Sequence, residues 1–346
     1  MSLTTMLASG ESSRAHAPGI SVVIPVYRSE TILPELMRRL HDVLPGIAAR
    51  YEIILVNDCS PDGSWDVIQQ LAATYPEIKP LNLMRNYGQH NALLCGIRAA
   101  SYDTIITMDD DLQHPPEEIP KLIAELAKGA DVVYGVPERQ QHGLGRDFAS
   151  WITKLALQNV MGAEVARNIS AFRAFRREVS RAFVHYSGAF VSIDVLLTWG
   201  TKRFSMVTVR HDQRKIGASG YTIRRLITHA MNMMTGFSTV PLQLASIVGF
   251  AFTLFGIAVL AYVVGRFLIL GGSVPGFPFL ASIIALFSGA QLFALGIMGE
   301  YLARMHFRMM ERPSYVVREA PLRDGVESAA GTEEILMERS LAVRVG

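Results

Sequence analysis

Cysteine is scarce in this chain: Cys59 and Cys95 are the only two, and both lie in stretches that read as interior. Two cysteines build neither a disulfide framework nor a zinc site, which suits a reducing compartment. Net charge is nearly absent as well, +2 over 346 residues. No basic stripe is interleaved with aromatics, so nucleic acid is excluded as a partner. The first twenty residues, rich in Ser, Ala and Gly, lack the apolar core of a secretory signal. The N-terminal region is therefore expected to remain in the cytoplasm, with residues 1–18 as a disordered lead. Charge of either sign disappears further on, where Arg266 is the single charged side chain between Leu226 and Met298.

What is present divides accordingly. From residue 20 the pattern predicts strands at 20–26, 51–57, 79–83, 104–108 and 131–134, alternating with helices at 31–44, 64–74, 90–100 and 116–128. That alternation argues for an α/β domain with a mostly parallel sheet, whose short Val- and Ile-rich strands are covered on both faces. In such sheets ligands bind beyond the carboxyl ends of the strands, so polar residues directly after each strand are the first suspects. Residues 242–265 and 274–299 are uncharged, and each exceeds the roughly twenty residues needed to cross a bilayer. Arg224 and Arg225 precede the first run, and Arg304, Arg308 and Arg312 follow the second. By the positive-inside rule both flanks are cytoplasmic, with Arg266 snorkelling to the far interface. The expected organisation is a disordered lead (1–18), an α/β domain with its juxtamembrane segment (19–225), two transmembrane helices (226–303), and a cytoplasmic C-terminal segment and tail (304–346).

Four polar stretches carry chemistry. Asp109-Asp110-Asp111-Leu112-Gln113 follows the strand predicted at 104–108. Three carboxylates in one turn repel one another, and a hard divalent cation, Mg2+ or Mn2+, held by one or two of them plus substrate phosphates relieves this. The bland alternative is an acidic solvated loop. Asn57-Asp58-Cys59-Ser60-Pro61-Asp62-Gly63-Ser64 also leaves a strand end; Asp62 or Ser64 suits a helix cap, while Asp58 could accept a hydrogen bond from a nucleobase or ribose. Arg85-Asn86-Tyr87-Gly88-Gln89-His90-Asn91 opens a helix whose exposed N–H groups attract a phosphate, or it is an ordinary loop. His90 has no partner at metal-ligand spacing. The basic run 210–221, with Arg214, Lys215 and Ser219, either attracts anionic lipid or grips phosphates of a donor or acceptor.

Together, Val23-Ile24-Pro25-Val26-Tyr27, Asn57-Asp58, Asn86-Tyr87-Gly88, Asp109 to Gln113 and Arg214…Gly217-x-Ser219-x-Tyr221 resemble family 2 glycosyltransferases. The resemblance runs from Ile20 to about Val317. A catalytic domain followed by two membrane helices looks like the polyisoprenyl-phosphate glycosyltransferases related to dolichol-phosphate mannose synthase. The resemblance implies a GT-A (Rossmann-like) fold, a nucleotide diphosphate sugar as donor with a lean toward uridine diphosphate, a divalent cation, and inversion at the anomeric carbon. The acceptor it implies is a polyisoprenyl phosphate lipid such as undecaprenyl phosphate. Carried over, Pro25, Tyr27 and Asp58 line the nucleobase pocket. Asp109 and Asp111 serve the ribose, the diphosphate and the metal, with Asp110 beside them in the donor site, and Gln113 faces the sugar. Asn86, Gly88, Arg214, Lys215 and Ser219 complete the donor site. The segment Ser170 to Arg177 resembles the family's acceptor segment, which makes Arg173 and Arg176 ligands of the lipid phosphate and, with Asp111, the catalytic set. Asn168, Ser170 and Ala171 stand where many relatives carry aspartate, so no general base is assigned there, and Asp194 stays outside the set. The implied location is the cell (inner) membrane, multi-pass, with the catalytic domain cytoplasmic and a homo-oligomer left open. Residues 312–317 could add a strand to a neighbouring subunit or pack on their own domain. Two other readings compete: a processive polysaccharide synthase, which the two-helix count disfavours, and an inactive sugar-nucleotide sensor or scaffold, which the intact carboxylate turn disfavours.

Overall fold

The computed structural model describes residues 19–137, 169–188, 191–212, 240–270, 276–310 and 313–318. In chain order these contain β1 (Ile20–Val26), α1 (Leu33–Val43), β2 (Tyr51–Asn57), α2 (Ser64–Thr74), β3 (Ile78–Asn82), α3 (Gln89–Ala99), β4 (Thr104–Thr107) and α4 (Ile119–Ala127). There follow β5 (Val132–Pro137), β6 (Arg173–Arg176), α5 (Arg177–Ser180), α6 (Ile193–Gly200), β7 (Phe204–Val209), α7 (Val240–Leu270) and α8 (Phe277–Met309). The seven strands form one sheet in the order β3-β2-β1-β4-β6-β5-β7. Pairings are parallel except on both sides of β6, which is inserted antiparallel between β4 and β5. The mostly parallel α/β class expected of the sequence is the class found; β6 and β7 are additions to it.

The apolar strands are continuous because both faces are covered. Alternation along β1 sends Val22, Ile24 and Val26 to a core with Leu33, Leu36, Met37 and Leu40 of α1 and Ile119, Leu122 and Leu126 of α4. Val23 goes to the opposite core, with Ala92, Leu93 and Leu94 of α3 and Leu196 and Leu197 of α6. Helix α3 lies so close to β1 that a Cβ on Gly96 would stand 2.3 Å from Val23 Cγ1. Gly96→Ala is therefore expected to destabilise the domain by about 1–3 kcal/mol by overpacking against a stiff β-branched neighbour. That outweighs the roughly 1 kcal/mol that Ala gains over Gly in a helix. A higher thermal midpoint in the variant would contradict this.

One sheet feature places the site. The Val23 carbonyl accepts Met108 N–H on the β4 side at 3.2 Å, while that of Val26 accepts Asp58 N–H on the β2 side at 3.0 Å. By alternation Pro25 faces the β4 side, where pairing has already stopped at Val23 and Thr107. Its missing N–H therefore takes nothing from the ladder, and proline is tolerated in a central strand. Beyond that point β1 and β4 part at the place where strand order reverses, which is where open α/β sheets hold their ligands.

Helices α7 and α8 are longer than the runs 242–265 and 274–299. Each contains a stretch apolar and long enough to cross a membrane, Ala245–Ile269 and Leu286–Ala303. They touch through Phe287, which packs edge-on against Phe252 (5.6 Å) and stacks with Phe255 (6.3 Å). Much of the remaining apolar surface is uncovered, with Leu268 at 75% and Ile269 at 82% exposure. So large an apolar surface is the mark of membrane association. After α8 the chain returns to the sheet, where Leu83 and Val317 form an antiparallel bridge beyond β3. Of the two placements open for residues 312–317, the described part, 313–317, packs on the same chain's own domain.

Candidate functional site

Three loops meet at the carboxyl edge: residues 27–30 after β1, 58–63 after β2 and 108–115 after β4. Among the described residues, the non-glycine positions with left-handed backbone are Arg28 (φ 59°), Cys59 (51°) and Leu112 (58°), one in each loop. Such conformations cost on the order of 1–3 kcal/mol each and persist only where surroundings impose them. Leu112 shows how: its side chain is buried in the α1/α4 core, and that anchor forces the turn that presents Asp111 and Gln113 beyond it.

The three adjacent aspartates have separate tasks. Asp110 turns back to β1, and its Oδ2 accepts Tyr27 N–H at 3.1 Å and Ser29 Oγ–H at 2.5 Å. Burial pushes its carboxyl up to about 6 against the pull of these two donors, and the Asp111 charge adds to the rise. Asp110 is thus the tie across the switch point. Asp109 accepts from Gln89 Nε2 of α3 at 2.5 Å, and Asp111 accepts Gln113 N–H at 3.1 Å. Among the described residues no group of three His, Cys, Asp or Glu side chains could hold a metal ion. The donor set does fit a hard cation taking one or two carboxylates and completing its shell with phosphate oxygens and water.

Asp58, 3% exposed, is also a tie. Its two oxygens accept the N–H groups of Tyr87 (2.7 Å) and Gly88 (2.8 Å), fixing the loop that opens α3. Burial still leaves its carboxyl above the ordinary range. Gly88 stands at φ 92° with open space where a Cβ would go, so backbone conformation alone calls for glycine there. Asn86 is exposed on this loop, and Arg85 lies over the Tyr87 ring at 4.4 Å. Asn57 spans β2 and β3, donating to Asn82 Oδ1 at 2.9 Å and accepting Ser60 N–H at 3.2 Å. Tyr27 is 43% exposed, with the Arg28 guanidinium 5.5 Å from its ring.

Pro25, Tyr27, Asp58, Asn86, Gly88, Asp109, Asp110, Asp111 and Gln113 are therefore brought to one edge. Of the two arginines, Arg173 reaches the same end of the sheet, beside Thr107, but is enclosed, and Arg176 lies at the other end. Arg173 is 1% exposed. Its Nε donates to Thr107 Oγ1 at 2.9 Å and its Nη1 pairs with Asp194. In this arrangement its guanidinium is engaged by Thr107 and Asp194 rather than open to a phosphate. Arg176 pairs with Thr104 at the amino end of β4, the edge opposite the aspartates, and lies 3.7 Å from Asp131. Three residues along β6 span its whole pairing with β4, roughly 10 Å, which sets the two arginines at opposite ends of that ladder. Arg214, Lys215 and Ser219 lie outside the described residues.

Ser29, Gln89 and His114 belong to the site although sequence reasoning passed over them; only His114, directly after Gln113, carried a signal. Its ring stacks on Phe172 (5.3 Å), meets His211 edge-on (4.9 Å), and sets Nε2 3.5 Å from Ser170 Oγ. Burial, with His211 beside it, pushes His114 down to about 4. The unfolded chain takes up this proton below about 6.5 and the folded one does not until about 4. Stability is then complete above about pH 6.5 and falls with pH through that window, by about 2 kcal/mol between pH 7 and 5. His114→Gln should lose several degrees less of thermal midpoint than the parent on going from pH 7.5 to 5; equal losses would contradict the assignment.

An open, mostly parallel sheet with a carboxylate turn at its switch point defines an α/β protein that binds its ligand beyond the strand ends. Residues 21–183 match the model of Glycosyl transferase family 2. Undecaprenyl-phosphate 4-deoxy-4-formamido-L-arabinose transferases of Yersinia pestis (strain Pestoides F) and Yersinia enterocolitica (serotype O:8) are 35% and 34% identical over 320 residues, covering 91% of this chain and 97% of theirs. Glucosyl-3-phosphoglycerate synthase of Mycobacterium tuberculosis, in complex with Mn2+, uridine diphosphate and phosphoglyceric acid, is similar at a TM-score of 0.48 with 16% identity, over 63% of this chain and 77% of that one. The chain belongs to glycosyl transferase family 2, and it is a glycosyltransferase.

Proposed function

We infer that the protein transfers a sugar, with inversion, from a nucleotide diphosphate sugar to undecaprenyl phosphate or a similar polyisoprenyl phosphate. The observation that carries this reading is the carboxylate turn at the β1/β4 switch point, in a chain whose likeness to undecaprenyl-phosphate sugar transferases extends through both apolar helices. The favoured donor is a uridine diphosphate sugar, taken from the family resemblance. The sugar in the relatives' name is the first to test. The protein sits in the cell membrane as a two-pass chain, with 19–225 as its cytoplasmic catalytic domain, 226–303 as the membrane region and 304–346 as a cytoplasmic segment.

In this reading Pro25 and Tyr27 receive the nucleobase, and the loop held by Asp58 presents Asn86 and the α3 N-terminus to the diphosphate. Asp109 and Asp111 would hold Mg2+ or Mn2+, which when bound offsets the charge growing on the departing nucleotide diphosphate. Gln113 faces the sugar. An acceptor phosphate oxygen attacks the anomeric carbon as the bond to the diphosphate oxygen breaks on the opposite face. A phosphate monoester's second ionisation lies near pH 6, so the nucleophile is already charged at neutral pH and no aspartate base is required. With Arg173 and Arg176 engaged elsewhere, Arg214 and Lys215 are the cations assigned to orient the acceptor.

The test is transfer of label from a panel of nucleotide sugars to undecaprenyl phosphate in detergent, with Mg2+ or Mn2+ and with EDTA. A lipid-extractable product lost on chelation is expected. No product from any donor, with folded protein, would favour the sensor reading, and product longer than one sugar would favour a polymerising synthase.

A further inference from the structure

The segment after α8 grips the catalytic domain at two places, the β3 edge of the sheet and the last turn of α3. Val316 O accepts Met84 N–H at 2.9 Å and Arg318 N–H donates to Asn82 O at 2.6 Å, so the chain runs as a short strand along the edge beyond β3. Ser314 Oγ donates to Gly188 O at 3.1 Å. The Tyr315 hydroxyl accepts from Arg98 Nη1 at 3.3 Å, and the Arg98 guanidinium lies 5.4 Å from its ring. Arg98 in turn donates to Tyr186 O at 2.5 Å. Met84 leads into Tyr87 and Gly88, which Asp58 holds at the donor side. Tyr186 and Gly188 lead toward α6, which carries Asp194.

The lengths of chain involved decide what this grip does. From Met309, the end of α8, to Ser314 an extended chain reaches at most roughly 17 Å. The other connection between sheet and membrane, residues 213–239, could by length alone reach on the order of 90 Å. A second attachment this short raises the effective concentration of the site at the bilayer surface, and does so without touching either substrate.

We propose that residues 314–318 are a tether that holds the carboxyl edge of the sheet at working height over the bilayer, and so serves use of a membrane-embedded acceptor rather than donor binding. This rests on the transferase reading above. Arg318→Pro removes the N–H that closes the bridge while keeping extended backbone, and Tyr315→Ala removes the clasp on Arg98. Arg318→Gln, which keeps the N–H, is the control. Each full-length variant is assayed with two acceptors: undecaprenyl phosphate in phospholipid vesicles and a water-soluble two-isoprene phosphate in detergent, with thermal midpoints measured alongside. The expected result for Arg318→Pro and Tyr315→Ala is a loss of about tenfold with the vesicle acceptor, less than twofold with the soluble one, and no change in Arg318→Gln. Equal losses with both acceptors, or no loss with either, would overturn the tether. No transfer by the unaltered chain to either acceptor would overturn the transferase reading and the tether with it, and is told apart because it appears before any substitution is made.

Discussion

Asp111→Ala should lower kcat for sugar transfer by roughly 10²–10³-fold, the range seen when one preorganised group facing developing charge is removed, while the thermal midpoint barely moves. The asymmetry within the turn is what makes this specific. Asp110 is tied to Tyr27 and Ser29 and holds two loops together, so Asp110→Ala should weaken the fold and the donor site at once. Asp111 accepts Gln113 N–H within its own turn, and the position of that turn is set by the buried Leu112 side chain. Its loss leaves the scaffold in place. Asp111→Asn keeps the size and removes the charge, and it should be nearly as inactive as the alanine variant if charge toward a cation is the contribution. Steady-state transfer with Mg2+ or Mn2+ decides the matter: a variant within tenfold of the parent would remove Asp111 from the catalytic assignment.

The parts of this arrangement that were legible are those in which local pattern and burial coincide. Strands β1, β2 and β4 could be read because a central strand covered on both faces is a Val/Ile run, and the carboxylate turn could be read because it follows one directly. Strand β6 could not: Arg-Ala-Phe-Arg is four residues with a cation at each end, and only its antiparallel insertion between β4 and β5 makes it a strand. The same blindness misplaced its arginines, since nothing local says that residue 173 meets Thr107 while residue 176 meets Thr104. The three aspartates look equivalent in sequence because what separates them is their partners, Gln89 for Asp109 and the Tyr27–Ser29 loop for Asp110, which only the fold brings close. Residues 312–317 were ambiguous for a related reason: a short apolar strand can complete any open sheet edge, and the choice between its own and a neighbour's lies in tertiary reach.

Arg173→Met should cost about 3–5 kcal/mol, because it strands a carboxylate rather than because it removes a contact. Arg173 and Tyr134 are both fully enclosed. The Tyr134 hydroxyl donates to Asp194 Oδ1 at 3.0 Å, and burial together with the Asp194 carboxylate pushes the phenol well above its ordinary value, keeping it a donor. With the guanidinium gone, Asp194 retains among the described residues only that neutral partner, and Thr107, the last residue of β4, loses a hydrogen bond next to the aspartate turn. For a domain of this size the loss corresponds to a thermal midpoint about 10 °C lower. Asp194→Leu combined with Arg173→Met should recover most of it, since an apolar pair of similar volume avoids the desolvation of both charges. The double variant separates the two roles offered for Arg173. A residue that meets the acceptor phosphate would leave the double variant stable but unable to use acceptor, with KM raised. A residue that only braces β4 against α6 would leave the double variant both stable and active, and the buried ion pair makes that the expected outcome.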